Sequence, residues 1–430
     1  MMEFLFNKTP IFFMTQSLWR DEAFSYFLAK NGIFRIMGLT AGDFNPPLYY
    51  VLLHYWMLIF GKSEIALRSL SLIFFAIAVY FAFLFLQNVL VIQGKRLWMY
   101  VVAFAFNPAL LYFAFEARMY SLFAFLSLMS FYFFATKKRK EYIITSTLGL
   151  YTHYFFIFVV FTQLLYILFY KKKRERNYRA ILLPLLFFAP WFLLVVRNLV
   201  KGTSEFWIGK TNWTDIVSSL GVLFTGYERI DSPYYIPIIV ISLFFAALCI
   251  YFLARKAKRN DAVLPLLMLW SFLAYMIILI VSLFKPLYVF RYVIFACVGF
   301  NMLLFYVSEH LTHKMRTYLF IILFISILFF NQVQIKQKRK GSIRSTIREI
   351  TSIAKEGDVI YVTDPKLFFT ISYYFDEKRV FLFGEKSTSI PRYVGAVLIP
   401  PEKTISTLPQ YPQKAFILYE ENRYEIQAIQ

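Results

Sequence analysis

Residues 137–176 read KKRKEYIITSTLGLYTHYFFIFVVFTQLLYILFYKKKRER, and this stretch decides the fold. The apolar middle, 141–170, is too long for one ordinary bilayer crossing of about 17–25 residues and short for two. Its flanks settle the matter. KKRK and KKKRER are both strongly basic, so both belong on the cytoplasmic side, and an even number of crossings must lie between them. Two short helices are expected, near 142–153 and 155–170, turning at Tyr151-Thr152-His153.

Working outward, further spans are expected at 64–88, 97–113, 118–136, 180–199, 234–254, 262–284, 290–307 and 317–332. Basic residues at Lys95-Arg96, 171–179, 255–259 and Lys314–Arg316 mark the remaining cytoplasmic loops. The exterior then receives 19–63, 114–118, 200–233, 285–291 and everything after 332. Residues 1–19 are apolar but broken by Asn7, Lys8 and Pro10, so no cleavable signal peptide is expected there, and they are short for a crossing.

Composition agrees. Of 430 residues, 59% are apolar and 21% aromatic, and only 17% are charged. Soluble domains carry about 45–50% apolar and about 25% charged residues, so a purely soluble enzyme, disorder and coiled coil are excluded. Residues 1–332 hold 31 Lys/Arg against 14 Asp/Glu, and the remainder 15 against 11, out of 46 and 25. The basic excess lies in the membrane part and reflects its cytoplasmic loops; no nucleic-acid partner is expected. The fold class is thus a polytopic α-helical membrane protein of about ten to eleven membrane helices. Residues 1–332 form the membrane domain, with an exterior loop of two surface helices at 19–63, and 333–430 form a small exterior α/β domain. In the latter, GSIRSTIREITSIAKEG and KLFFTISYYF read as helices, and DVIYVTD, RVFLFG, VGAVLIP and KAFILYE as strands of a partly parallel sheet. It lacks a G-x-G-x-x-G or a P-loop, so nucleotide binding is unsupported.

Acidic residues are scarce in the membrane part, and four of its 14 fall between 21 and 64. Asp21 and Glu22 stand among aromatics in WRDEAFSY, where desolvation would raise a carboxylate toward use as a base. Asp43 follows in GDFNPPLYY, ahead of a helix started by Pro46-Pro47. Solvated interface charge is the plainer account of all three. Glu116 and Arg118 close NPALLYFAFEARMYS at the outer end of a span, where an Arg can also simply snorkel. His153 sits at the outer hairpin turn, and KPLYVFRY places Lys285 and Arg291 outside. Carboxylates and cations on one outer face suit a reaction in which a base deprotonates a hydroxyl while cations hold a phosphate leaving group. Asp21, Glu22, Asp43 and Glu116 could hold a divalent ion through oxygen ligands, but no spacing demands a metal. Cys249 and Cys297 each lie inside an apolar run with no zinc-type spacing.

WRDEAFS (19–25), GDFNPPLYYVLLHYW (42–56), ALRS (66–69), NPALLYFAFEARMYS (107–121), YTHYFF (151–156) and PLYVFRY (286–292) together resemble the bacterial and archaeal branch of the protein O-mannosyltransferase superfamily. These are GT-C fold membrane glycosyltransferases related to the aminoarabinose transferases of lipid A. The resemblance runs from about residue 17 to about 310. It implies an inverting transfer of a sugar from a polyprenyl-phosphate donor to a hydroxyl of a protein, glycolipid or polysaccharide, at the outer face of the cytoplasmic membrane and on the metal-independent branch. It implies Asp21 as catalytic base with Glu22 beside it, and Asp43 shaping the acceptor or sugar pocket. Arg118 and Arg291 would hold the donor phosphate, His153 would add a donor contact, and Glu116, Tyr120 and Tyr292 would belong to the substrate-binding segments. A transporter or flippase, or a polymerase or ligase for polyprenyl-linked glycans, is the alternative that the charges alone leave open.

Overall fold

A computed structural model describes residues 8–43, 45–170, 178–199, 208–209, 211–228, 233–256, 262–339, 341–419 and 423–430. The basic KKKRER run at 171–176 and residues 257–259 lie outside the described residues. Among the described residues six helices are long and apolar enough to cross a bilayer: Glu64–Asn88, Tyr178–Arg197, Tyr235–Leu253, Val263–Ser282, Phe290–Glu309 and His313–Gln337. A seventh crossing is formed if Gly94–Ala105 and Pro108–Ala114, which meet at a bend of 59°, are taken as one broken span. The other expected crossings are shorter helices of 16, 12 and 15 residues, Tyr120–Ala135, Arg139–Leu150 and Phe156–Tyr170. Arg139–Leu150 and Phe156–Tyr170 are joined by a turn at 151–155, which includes the expected Tyr151-Thr152-His153. The chain is a multi-pass membrane protein.

Two compact units emerge. The first holds described residues of 8–13, 68–193 and 208–337; the second holds those of 14–67, 194–199 and 338–430. The loop helices of 20–60 therefore keep company with the C-terminal residues.

In the first unit, burial sorts the spans. The window of Phe290–Glu309 is 89% buried, whereas those of Tyr178–Arg197 and Tyr235–Leu253 are 28% buried, so the former is the central helix and the latter two are peripheral. Gly299 lets the central helix approach Trp270, because a Cβ there would stand 2.7 Å from the indole. Trp270 in turn stacks on Phe131, with centroids 3.9 Å apart. The broken span has a sequence cause. Pro108 cannot continue the helix before it, and Asn107 caps the next one by accepting the Leu110 amide at 3.1 Å. The Asn107 amide group also donates to Phe224 O (3.0 Å) and to Asn301 Oδ1 (3.2 Å) on the central helix. In an apolar interior such bonds fix the bend, since the alternative is a buried polar group with no partner.

In the second unit the C-terminal residues form a five-stranded sheet in the order β3-β2-β1-β4-β5. Its strands are β1 (Val359–Val362), β2 (Val380–Phe383), β3 (Thr404–Ile405), β4 (Ala415–Leu418) and β5 (Tyr424–Gln427). All neighbours are parallel except the β4–β5 hairpin pair. Helix Phe368–Tyr374 makes the β1-to-β2 crossover, and Ile343–Ile353 buries Ile343, Ile347 and Ile350, one face at helical spacing. VGAVLIP is not a strand. It forms two single 3₁₀ turns, Arg392–Val394 and Ala396–Leu398, around Gly395 at φ 91°. A Cβ at Gly395 would stand 2.5 Å from Phe24 and 2.8 Å from Phe369, so tertiary packing overrides strand propensity there. The loop at 19–63 carries three short helices where two were expected: Arg20–Ala29, Ile33–Ala41 and Leu48–Phe60.

Candidate functional site

The first unit gathers Glu116, Arg118, Tyr120, His153, Arg291 and Tyr292. Glu116 and Arg118 lie in the turn between Pro108–Ala114 and Tyr120–Ala135, and both are buried. That turn is held at three points. Tyr112 Oη donates to Glu116 Oε1 (2.7 Å), Ser121 Oγ to Phe113 O (2.9 Å), and Ser71 Oγ to Arg118 O (3.2 Å). Arg291 and Tyr292 lie in the 3₁₀ turn Phe290–Val293 at the head of the central helix.

The ring of Tyr120 joins the two segments. The Arg118 guanidinium lies 5.8 Å from its centroid and that of Arg291 lies 6.0 Å away, both within cation–π range. Arg291 is also 5.8 Å from the Tyr292 ring. Below, Phe113 stacks on Phe290 with centroids 6.1 Å apart. His153 completes the group. Its ring stacks on Phe123 at 4.7 Å and lies 5.2 Å from Tyr292 and 6.4 Å from Tyr120. Phe155 N donates to His153 Nδ1 (3.1 Å), so the neutral ring carries its proton on Nε2. Burial first, and then the Arg118 and Arg291 charges, push His153, in the turn outside the spanning helices, down to about 3. Two guanidiniums that cannot be deprotonated beside an uncharged imidazole donor make an anion-binding arrangement.

Three residues with a part in this geometry were not singled out in the sequence. Glu228 Oε1 accepts the Phe290 amide at 2.6 Å and so anchors the turn that carries Arg291. Gly226, at φ 67°, closes Trp213–Thr225 where a Cβ would stand 2.8 Å from Ala109 Cα and 3.1 Å from Phe290. Arg68, in ALRS, is fully buried. It shares a helix face with Ser71, three residues on, which bonds the Arg118 backbone. A charge inside the first turns of an apolar span was the available signal for Arg68; for Gly226 and Glu228 there was none beyond residue type.

The second unit holds Asp21, Glu22 and Asp43. Asp21 is partly exposed, and Arg20 Nε lies 3.0 Å from its Oδ1. Glu22 is fully buried and accepts the Trp19 amide at 3.3 Å, which caps helix Arg20–Ala29. Asp43 is buried, accepts Asn45 Nδ2 at 3.1 Å, and follows Gly42, whose carbonyl accepts Arg392 Nη2 at 2.9 Å. Among the described residues no group of three or more His, Cys, Asp or Glu could hold a metal ion.

No family model matches the chain, and no curated protein matches it. Solved structures do. ArnT from Cupriavidus metallidurans in the apo state aligns with a TM-score of 0.63 at 10% identity, over 94% of this chain and 89% of that one. ArnT of the same organism bound to undecaprenyl phosphate aligns at 0.62 and 11%, over the same shares of 94% and 89%. The archaeal oligosaccharyltransferase AglB from Archaeoglobus fulgidus, in complex with an inhibitory peptide and a dolichol-phosphate, aligns at 0.50 and 10%, over 84% of this chain and 60% of that one. The chain therefore has the GT-C fold of these membrane glycosyltransferases.

Proposed function

We propose that this protein is an inverting glycosyltransferase that moves a sugar from a polyprenyl-phosphate donor to an acceptor hydroxyl at the extracytoplasmic face of the cytoplasmic membrane. The observation that carries it is the pair of guanidiniums, Arg118 and Arg291, set at 5.8 and 6.0 Å from one tyrosine ring beside a neutral His153. Such a group suits a phosphate that gains charge as it leaves. The similarity to an ArnT structure bound to undecaprenyl phosphate supports a polyprenyl-phosphate partner. The basic loops support an outward-facing site, and the helix count of ten to eleven follows if each short helix is a crossing.

The chemistry is one displacement. The acceptor oxygen attacks C1 of the sugar, Asp21 takes the acceptor proton, and the C1–O bond to phosphate breaks. The bond electrons stay with the polyprenyl phosphate, whose anion Arg118 and Arg291 hold and His153 Nε2–H contacts. Asp43 shapes the acceptor or sugar pocket. Glu22 orients the helix that carries Asp21, consistent with its capping bond. Glu116 keeps the Arg118 turn in place through Tyr112.

The test is Asp21→Asn in proteoliposomes supplied with a radiolabelled polyprenyl-phosphate sugar and an envelope extract as acceptor. Release of polyprenyl phosphate should fall about 10²–10⁴-fold, the usual contribution of a general base, with donor binding retained. Transfer at the wild-type rate refutes Asp21 as the base. Movement of intact donor across the vesicle without release favours a flippase instead.

A further inference from the structure

We propose that the second unit contains a cleft for an anionic saccharide, an anchoring subsite for the acceptor that is distinct from the residues assigned to the reaction. This inference rests on the glycosyltransferase assignment above and names the acceptor class. The cleft has a volume of about 740 Å³ and lies between helix Ile343–Ile353, residues Lys62–Glu64, and Tyr26, Tyr373 and Tyr374. That size is within the range of about 300–1,000 Å³ usual for ligand pockets.

The floor is already satisfied. Arg344 Nη1 pairs with Glu64 Oε1 at 2.8 Å and its Nη2 donates to Thr15 O at 3.1 Å. Tyr374 Oη donates to the same Glu64 oxygen at 3.0 Å and accepts the Leu18 amide at 2.8 Å. The Arg344 and Glu64 charges thus cancel locally. Two further cations line the cleft, Lys62 and Arg348, and among the described residues neither side chain has a hydrogen bond or an ion pair. Two cations on a concave surface, with no compensating acid beyond Glu64, focus a positive potential into it. The rest of the lining suits a sugar better than a bare anion. The half-buried Tyr373 ring, packed edge to face on the buried Tyr26 at 5.0 Å, offers apolar surface to the cleft, and its hydroxyl donates to Lys62 O at 2.6 Å. Ser63, Thr351 and Ser352 line the same space; Thr351 Oγ1 donates to Ile347 O at 2.7 Å and Ser352 Oγ to Glu349 O at 2.6 Å, which leaves their lone pairs to accept from sugar hydroxyls. Rings, neutral hydroxyls and two uncompensated cations together match a uronic acid or a phosphorylated sugar. The cleft also adjoins the catalytic helix. Tyr26 is five residues beyond Asp21 on Arg20–Ala29, about 7.5 Å along its axis.

The experiment uses the full chain in nanodiscs of neutral lipid, titrated calorimetrically with digalacturonic acid, glucose 6-phosphate and cellobiose. The two acidic sugars should bind and cellobiose should not. Binding should weaken about tenfold or more in Lys62→Glu/Arg348→Glu and with added salt. Lys62→Gln/Arg348→Gln, a milder change at two exposed positions, should show an intermediate loss. Cellobiose binding as tightly as digalacturonic acid, or charge reversal without effect, overturns the proposal. A second arm floats the nanodisc-held protein with vesicles. Capture by a glucuronosyl glycolipid but not by phosphatidylglycerol supports the cleft and identifies a lipid-borne source, whereas equal capture by phosphatidylglycerol overturns it. Binding is read without turnover. Asp21→Asn should therefore bind acidic sugars normally even if Asp21 proves not to be the base, and intact transfer without acidic-sugar binding overturns the cleft alone.

Discussion

Acid should destabilise this protein through His153, and Phe in its place should remove that sensitivity. An unfolded histidine titrates near 6.5, whereas the folded His153 is pushed down to about 3 by burial and by Arg118 and Arg291. A depressed folded value means that the unfolded chain binds a proton which the folded chain refuses. The stability concerned is complete above about pH 6.5, falls as pH drops through 6.5, and levels off below about 3. Each pH unit within that window costs about 1.36 kcal/mol, so at pH 5 the wild type should have lost about 2 kcal/mol through this one group. The geometry accounts for the refusal, since protonation at Nδ1 would break the bond from the Phe155 amide and set a third charge beside two guanidiniums. His153→Phe keeps a ring against Phe123 and removes the titration. Losing the acceptor for Phe155 N should cost about 1 kcal/mol at every pH. The assay is equilibrium unfolding in mixed micelles from pH 7.5 to 4.5, with the two proteins compared at each pH so that all other titrating groups cancel. The variant should be the less stable at pH 7 and the more stable at pH 5. Parallel profiles would refute the argument that His153 is held neutral.

Three further outcomes are expected. Arg118→Ala and Arg291→Ala should each slow release of polyprenyl phosphate about 10²–10³-fold, with partial recovery in the Lys variants, and wild-type rates in either would remove the phosphate role. Gly226→Ala should destabilise the first unit by about 2–5 kcal/mol, from left-handed backbone strain and from overpacking against Ala109 and Phe290, read by the same unfolding assay. Gly395→Ala should render the C-terminal residues sensitive to limited proteolysis, and pairing it with Phe24→Ala should recover part of the loss, because the added Cβ would meet Phe24 at 2.5 Å.

Much of the architecture was legible because hydropathy is a local property. A long apolar run must form a helix wherever lipid surrounds it, so Glu64–Asn88 and His313–Gln337 stand where the sequence placed spans. Helix Ile343–Ile353 and the strands at 359–362, 380–383 and 415–418 followed from periodicity in the same way. VGAVLIP was misread because Gly395 serves Phe24 and Phe369, more than 300 and about 25 residues away in the chain, and no local pattern carries that information.

Charge and hydropathy alone determined the polytopic membrane class, and the motif resemblance supplied the residue types for a sugar–phosphate reaction. Only the tertiary structure decided that Arg118 and Arg291, 173 positions apart, share the ring of Tyr120, and that Gly226 and Glu228 support the turn between Phe290 and Val293. The physical reason is range. Transfer into lipid is settled residue by residue, whereas a cation's position depends on which distant helices pack closely enough to hold it.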